Sequence, residues 1–438
     1  MAATTPIGSA GTLEQGSFSG GFNAAPADYI AFLKEFYKGT VVADLVYKNH
    51  PWLGLVPKNP EVRGTVYPKP VKYANIVGQS ALYGTAHENQ APGRRQRWEL
   101  THIDNYAKAT VSNKVIELSM GNPAAFREAL TDAVDSAYSA FANDVDFEIL
   151  AKHAKGARAV ITDWGDAAAS DETLDDGVDL TVNLGAGEAR FFEVGMKISH
   201  SLAAQAAILD SDETVTVKAV DRSNDTLTID NWTTTDIATG QYIYRAGDFD
   251  AKAASLPAWL PGSSATSTAW FGIDRTVDPT RLAGVDAVQG SGSVAPYLKC
   301  LVDTGARLYK EGSAPDICLL NPVDHAALAF ETEGRAARYV NLGATSGAMS
   351  YSGLSVMTGA GEVPVVAVPA LAEDTVAMGE RSAVELFSAG GLPRMFKKDG
   401  SFYHREEAAD TLAFYLFAYY NQVVQSPVKW AYRTDIVA

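Results

Sequence analysis

The sequence predicts an α+β protein. One apolar stripe keeps helical spacing for 33 residues, a proline-broken β-rich excursion precedes it, and short strands mix with shorter helical patterns towards the C-terminus.

The elements follow in chain order. Residues 1–26 hold five glycines and no apolar period, which predicts an extended or flexible arm. A short helix is expected after Pro26, with Asp28 as N-cap, Tyr29, Ile30, Phe32, Leu33, Phe36 and Tyr37 at helical spacing, and Gly39 as its stop. Between 61 and 112 the pattern turns to strands. Val62, Thr65, Val66, Tyr67, Val71 and Tyr73 are interrupted by Pro68 and Pro70. Trp98, Leu100, Ile103, Tyr106, Ala109 and Val111 follow after a tip that contains Gly78, Gly84, Pro92 and Gly93. Prolines confine such strands to an edge or an isolated ribbon, and an isolated hairpin is marginal in water. The ribbon therefore needs a surface supplied from elsewhere.

The long helix is expected over 123–155. Asn122 suits the N-cap, Pro123 the first turn, and Gly156 the stop. Phe126, Leu130, Val134, Tyr138, Phe141, Val145 and Ile149 draw its stripe, which at 1.5 Å per residue runs for about 50 Å. Residues 160–180 hold seven acids and no base, and read as an exposed loop. Residues 184–250 carry strand candidates at Phe191–Ile198, Val215–Val220, Leu227–Ile229 and Tyr242–Tyr244. They suggest a small sandwich or barrel of net charge −6. Residues 251–293 read as irregular. Helices return at 294–311 and 322–333, and strands at Leu354–Met357, Val363–Val368, Thr375–Met378, Val384–Leu386, 401–406 and 411–424.

The expected segments are thus 1–60 (arm and short helix), 61–112 (ribbon), 113–183 (long helix), 184–250 (inserted β module), 251–289 (connection), 290–390 (mixed α/β domain) and 391–438 (C-terminal strands).

Composition narrows the function. The chain has 438 residues, 47% hydrophobic and 20% charged, with a formal charge of −16. Such a chain is globular, and too acidic to grip nucleic acid over its whole surface. Two cysteines, Cys300 and Cys318, exclude a disulfide framework and a four-cysteine zinc site, and suit a reducing cytoplasm. No apolar run is long enough to span a bilayer, and residues 1–21 have neither the charged start nor the apolar centre of a signal peptide. No phosphate-binding Gly-x-x-x-x-Gly-Lys, no Gly-x-Gly-x-x-Gly and no Gly-x-Ser-x-Gly is present, and the seven histidines include no His-x-x-x-His pair. No catalytic residue, metal or cofactor is therefore expected.

One charge feature opposes the rest. Residues 58–97 carry a net charge of +5 inside the acidic chain. Two readings stand. The patch is a solvated face, or it docks on an acidic surface such as another copy of the chain. Under the second, Lys69, Lys72, Arg94, Arg95, Arg97 and Trp98 are the candidate contacts between subunits.

The order of parts resembles the major capsid proteins of tailed bacteriophages, which have the Hong Kong ninety-seven-type fold. Asp316-Ile317-Cys318-Leu319-Leu320-Asn321-Pro322-Val323-Asp324-His325 resembles the strand and helix start of that family's axial domain. Gly353-Leu354-Ser355-Val356, Val363-Pro364-Val365-Val366 and Pro369-Ala370-Leu371 resemble its late strands, and Phe271-Gly272-Ile273-Asp274-Arg275-Thr276 a segment of one branch. The resemblance covers residues 26–438. It implies an extended loop at 61–112 that reaches a neighbouring subunit, a spine helix at 123–155 in a peripheral domain, an axial domain near 290–390 that meets its copies, and an inserted domain at 184–250. The function it implies is self-assembly, through hexamers and pentamers, into an icosahedral shell around double-stranded DNA, without enzymatic activity. Portal, scaffolding and decoration proteins are the further partners, no membrane is involved, and the location is the virion, with the host cytoplasm during assembly. The alternative is a cytosolic α+β enzyme with an unrecognised site.

Overall fold

The computed structural model describes residues 50–114, 123–166, 179–202, 205, 208, 214–230, 237–265, 269–286, 296–332, 337–341, 352–397, 402, 404–405, 410–434 and 436. The arm, the helix expected at 28–39 and most of the acidic loop lie outside them. The chain divides into two compact units: Leu45–Ala107, Tyr138–Met395 and Leu416–Ala438 form the larger, while Lys108–Ala137 and Phe396–Tyr415 belong to the smaller. In the smaller unit His404 pairs with Ala413, and the Phe396 N–H donates to the Tyr415 carbonyl at 2.9 Å.

The larger unit holds a mixed sheet. Among the described residues it has seven strands in the order Val285–Asp286, Trp430–Arg433, Val376–Gly379, Ile317–Leu320, Gly361–Ala367, Ser352–Thr358 and Ala337–Asn341. Ile317–Leu320 lies at the centre, parallel to one neighbour and antiparallel to the other. All four of its residues are buried, as a strand covered on both faces requires. The helix Tyr297–Lys310 packs its buried residues Tyr297, Cys300, Leu301 and Leu308 against Cys318, Leu354, Val356 and Met378. Gly305 permits that approach, because a Cβ there would stand 2.6 Å from the Thr358 methyl.

The long helix runs from Pro123 to Leu150 and ends before the expected Lys155. A 3₁₀ turn, Ala154–Gly156, follows, with Lys155 at φ 58° and Gly156 at φ 81°. A Cβ on Gly156 would lie 2.9 Å from the Asp248 carbonyl oxygen, so the chain turns there to meet a segment almost a hundred residues onward.

Six strands, among the described residues, close a barrel: Tyr242–Arg245, Ala159–Asp166, Leu180–Leu184, Thr226–Ile229, Val215–Asp221 and Lys197–Ser201, the last pairing back to the first. Every pairing is antiparallel. Inward Ile161, Leu180, Val182, Leu184, Ile198, Val217, Leu227, Ile229 and Ile243 fill it, and closure removes free edges. Two of its strands, Ala159–Asp166 and Leu180–Leu184, start before residue 184, so the β module begins near 159. The start of the segment read as an acidic loop, 160–166 of 160–180, is not loop but part of the strand Ala159–Asp166. Phe191–Ile198 is not one: a turn carried by Gly195 at φ 86° delays the strand to Lys197.

Candidate assembly surface: the ribbon

The ribbon is shorter than the 61–112 stretch. Tyr67–Lys72 and Arg95–Leu100 pair antiparallel, from Tyr67 opposite Leu100 to Lys72 opposite Arg95. Ile103–Ser112 leaves the ribbon and pairs with the long strand Thr411–Val424. The Glu99 N–H donates away from the pair, to the Phe271 carbonyl at 2.9 Å. Pro68, opposite Glu99, and Pro70, opposite Arg97, therefore sit where the ladder needs no donor.

Alternation sorts the side chains. Tyr67, Lys69 and Val71 share a face with Trp98 and Leu100, while Pro68, Pro70 and Lys72 share the other with Arg95, Arg97 and Glu99. The first face is the anchored one. Trp98 is fully buried within its own chain: its indole N–H donates to the Gln425 carbonyl at 3.3 Å, and its ring meets Trp259 edge-on at 5.3 Å. Trp259 stacks on Phe271 at 5.0 Å, and the Arg275 guanidinium lies 4.0 Å from the centre of the Trp270 ring. The 271–276 motif thus builds the seat for the ribbon's root, and Trp98 is not offered to a neighbour.

Lys69 is also committed internally. Its ammonium donates to Glu385 Oε2 at 2.5 Å, while Glu385 Oε1 accepts from Asn59 Nδ2 at 3.0 Å and from the Tyr67 hydroxyl at 3.2 Å. Burial alone would lower the Lys69 pKa, but the hydrogen bonds to Glu385 and Tyr67 carry it above the ordinary value. Arg97 pairs at 2.9 Å with Glu99 on its own strand, and both are exposed.

Lys72, Arg94 and Arg95 remain. All three are exposed and make no ion pair with the described residues. Lys72 stands opposite Arg95, a like-charge pairing that costs stability in the isolated subunit. Beyond them the tip is closed by a two-way backbone bridge between Val77 and Ala91 and carries the short helix Tyr83–Glu88. It presents Ile76, Val77, Leu82 and Tyr83 to solvent, with Tyr83 91% exposed and Leu82 69%. Charge counting alone does not reveal this apolar tip; the signal for it is Ile76-Val77 and Leu82-Tyr83 inside a Gly-rich turn region, where a solvated loop would be polar. A second apolar face lies on the helix Pro322–Thr332, where Val323 and Phe330, seven residues apart on one side, are 60% and 77% exposed.

Among the described residues no group of three His, Cys, Asp or Glu is placed to hold a metal ion, and no helix is long and apolar enough to cross a membrane.

No family model matches the chain, and no curated protein matches it in sequence. Solved structures do. The capsid asymmetric unit of cyanophage A-1(L) superposes with a TM-score of 0.50 at 11% identity, covering 93% of this chain and 98% of that one. The capsid of a native GTA particle gives 0.46 at 10% identity, with 95% and 100% covered. The holo-SrpI encapsulin complex of Synechococcus elongatus gives 0.41 at 10%, with 93% and 95% covered. The cyanophage match spans nearly the whole of both chains. The α+β fold expected from the sequence is the one observed: this chain has the fold of a phage major capsid protein.

Proposed function

We propose that the chain is the coat subunit of a phage shell, assembling through hexamers and pentamers into an icosahedral particle around double-stranded DNA. The observation that carries this reading is the ribbon tip. Ile76, Leu82 and Tyr83 stand exposed at the end of a two-stranded projection, and an apolar group held out in water is favourable only when a partner covers it. In a closed shell of identical subunits that partner is the neighbouring copy. Lys72, Arg94 and Arg95 at the tip's base meet the neighbour's acidic surface, each exposed pair worth about 0.2–1 kcal/mol. The exposed face of Pro322–Thr332 supplies the contact about the capsomer axis. DNA is enclosed rather than gripped, in keeping with a charge of −16, and the role is structural, without catalysis.

Sedimentation velocity and electron microscopy of the purified protein test the reading. The expected result is capsomers or closed particles, with residues 66–101 cut by protease in free subunits and protected in assembled ones. A species confined to monomer through tetramer at all concentrations refutes it.

A further inference from the structure

Both connections of the barrel meet the long helix at one buried cluster of charges. The chain enters the barrel at Arg158 and leaves it through Arg245, Asp248 and Lys252. On the helix, Asp144 and Glu148 lie one turn apart and are 5% and 2% exposed. They are served unequally. Asp144 pairs closely with Arg158, with Arg245 at 3.0 Å and with Lys252 at 2.8 Å, and accepts from the Asn105 amide at 3.0 Å. Glu148 has Lys252 at 3.9 Å, too far for a hydrogen bond, and otherwise accepts from neutral donors, the Tyr420 hydroxyl and the Ala253 N–H. Asp248 lies 3.8 Å from both Arg158 and Lys252.

Three acids thus face three bases, but Asp144 takes most of the positive charge. Burial alone would raise the Asp144 pKa, yet Arg158, Arg245 and Lys252 hold it far below the carboxylate range. Glu148 goes the other way. Burial pushes it up, Lys252 pulls against that, Asp144 adds repulsion, and the result is about 7. Burial likewise raises Asp248, against the pull of Lys252.

We propose that this cluster is a proton-operated clamp on the barrel: with Glu148 protonated the two connections stay closed on the helix, and with Glu148 ionised they open more readily. The sign follows from the imbalance. Opening returns Glu148 to water and its ordinary pKa of 4.5. The closed state therefore binds the proton more tightly, its advantage is complete below about pH 4.5, and that advantage is lost as pH rises through about 7. A difference of this size allows the open fraction to grow by up to about 300-fold across the window.

Hydrogen exchange by mass spectrometry on the full chain tests the clamp. The reporting amides are Arg158, bonded to the Ile243 carbonyl, and Asp250, bonded to that of Lys155. After correction for intrinsic exchange, their protection is expected to fall by at least tenfold between pH 5.5 and 8. Glu148→Gln, a neutral isostere, should make the profile flat, Asp248→Asn should leave the fall in place, and Tyr420→Phe should move its midpoint upward. A flat wild-type profile overturns the proposal. So does a fall that survives in Glu148→Gln or disappears in Asp248→Asn. If Glu148→Gln does not fold, the wild-type and Tyr420→Phe profiles decide, and an unmoved midpoint in the latter overturns it.

Discussion

Replacing Leu82 and Tyr83 together with serine removes the most exposed part of the ribbon tip. The subunit should not notice: both side chains face solvent, Leu82 occupies the N-cap position of Tyr83–Glu88 where serine is favoured, and surface changes of this kind stay within about 0.5 kcal/mol. Assembly should notice. Burying a large apolar side chain contributes about 1.5–3 kcal/mol. With Leu82 about two-thirds exposed and Tyr83 almost wholly so, covering both on a neighbour is worth roughly 3 kcal/mol per ribbon. At 1.4 kcal/mol per decade, the concentration needed for assembly should rise by about two orders of magnitude. Light scattering against protein concentration reads that threshold, and circular dichroism with thermal melting checks the fold. Particles forming at the wild-type threshold would show that the tip is a solvated loop and that assembly does not depend on covering it.

Three further outcomes are expected. Trp98→Ala should destabilise the free subunit by about 3–5 kcal/mol, seen as a lower denaturant midpoint without any assembly, because the indole fills this chain's own core; an unchanged midpoint would return Trp98 to the subunit interface. Glu385→Ala leaves Lys69 unpaired and takes the acceptor from Asn59 and Tyr67, so it should cost about 1–3 kcal/mol and speed proteolysis of the ribbon, with equal cleavage rates as the contrary result. Arg94→Glu with Arg95→Glu should relieve the repulsion from Lys72 inside the subunit yet slow assembly, and added salt should slow wild-type assembly as the Debye length shrinks; light-scattering rates insensitive to both would rule out charge pairing at the ribbon.

Local patterns were legible in the sequence. The long helix shows itself because an apolar period of three to four residues needs only neighbouring residues, and the paired ribbon strands because alternation and Pro68 and Pro70 are equally local. The stop of that helix is not legible in the same way: it ends at Leu150, short of the expected Lys155, and the bend at Lys155 and Gly156 that follows meets Asp248, a partner that no local pattern specifies. Asp144, Asp146 and Glu148 carried a signal that was missed: acids in the last turns of a helix oppose its dipole, so several there imply cations brought from elsewhere.

Which charges are spent and which are free was decided only by the tertiary structure. From the sequence, Lys69, Lys72, Arg94, Arg95 and Arg97 are equivalent cations beside an aromatic. Folding pairs Lys69 with a carboxylate 316 residues away and hydrogen-bonds Trp98 to a carbonyl 327 residues away. That leaves Lys72, Arg94 and Arg95 facing water. Charge count, charge position and apolar periodicity by themselves determined an acidic α+β chain with a basic two-stranded segment. The partner of each charge depends on chain segments that meet only after the sheet and barrel close, because hydrogen bonds and ion pairs act over a few ångströms in space whatever the distance along the chain.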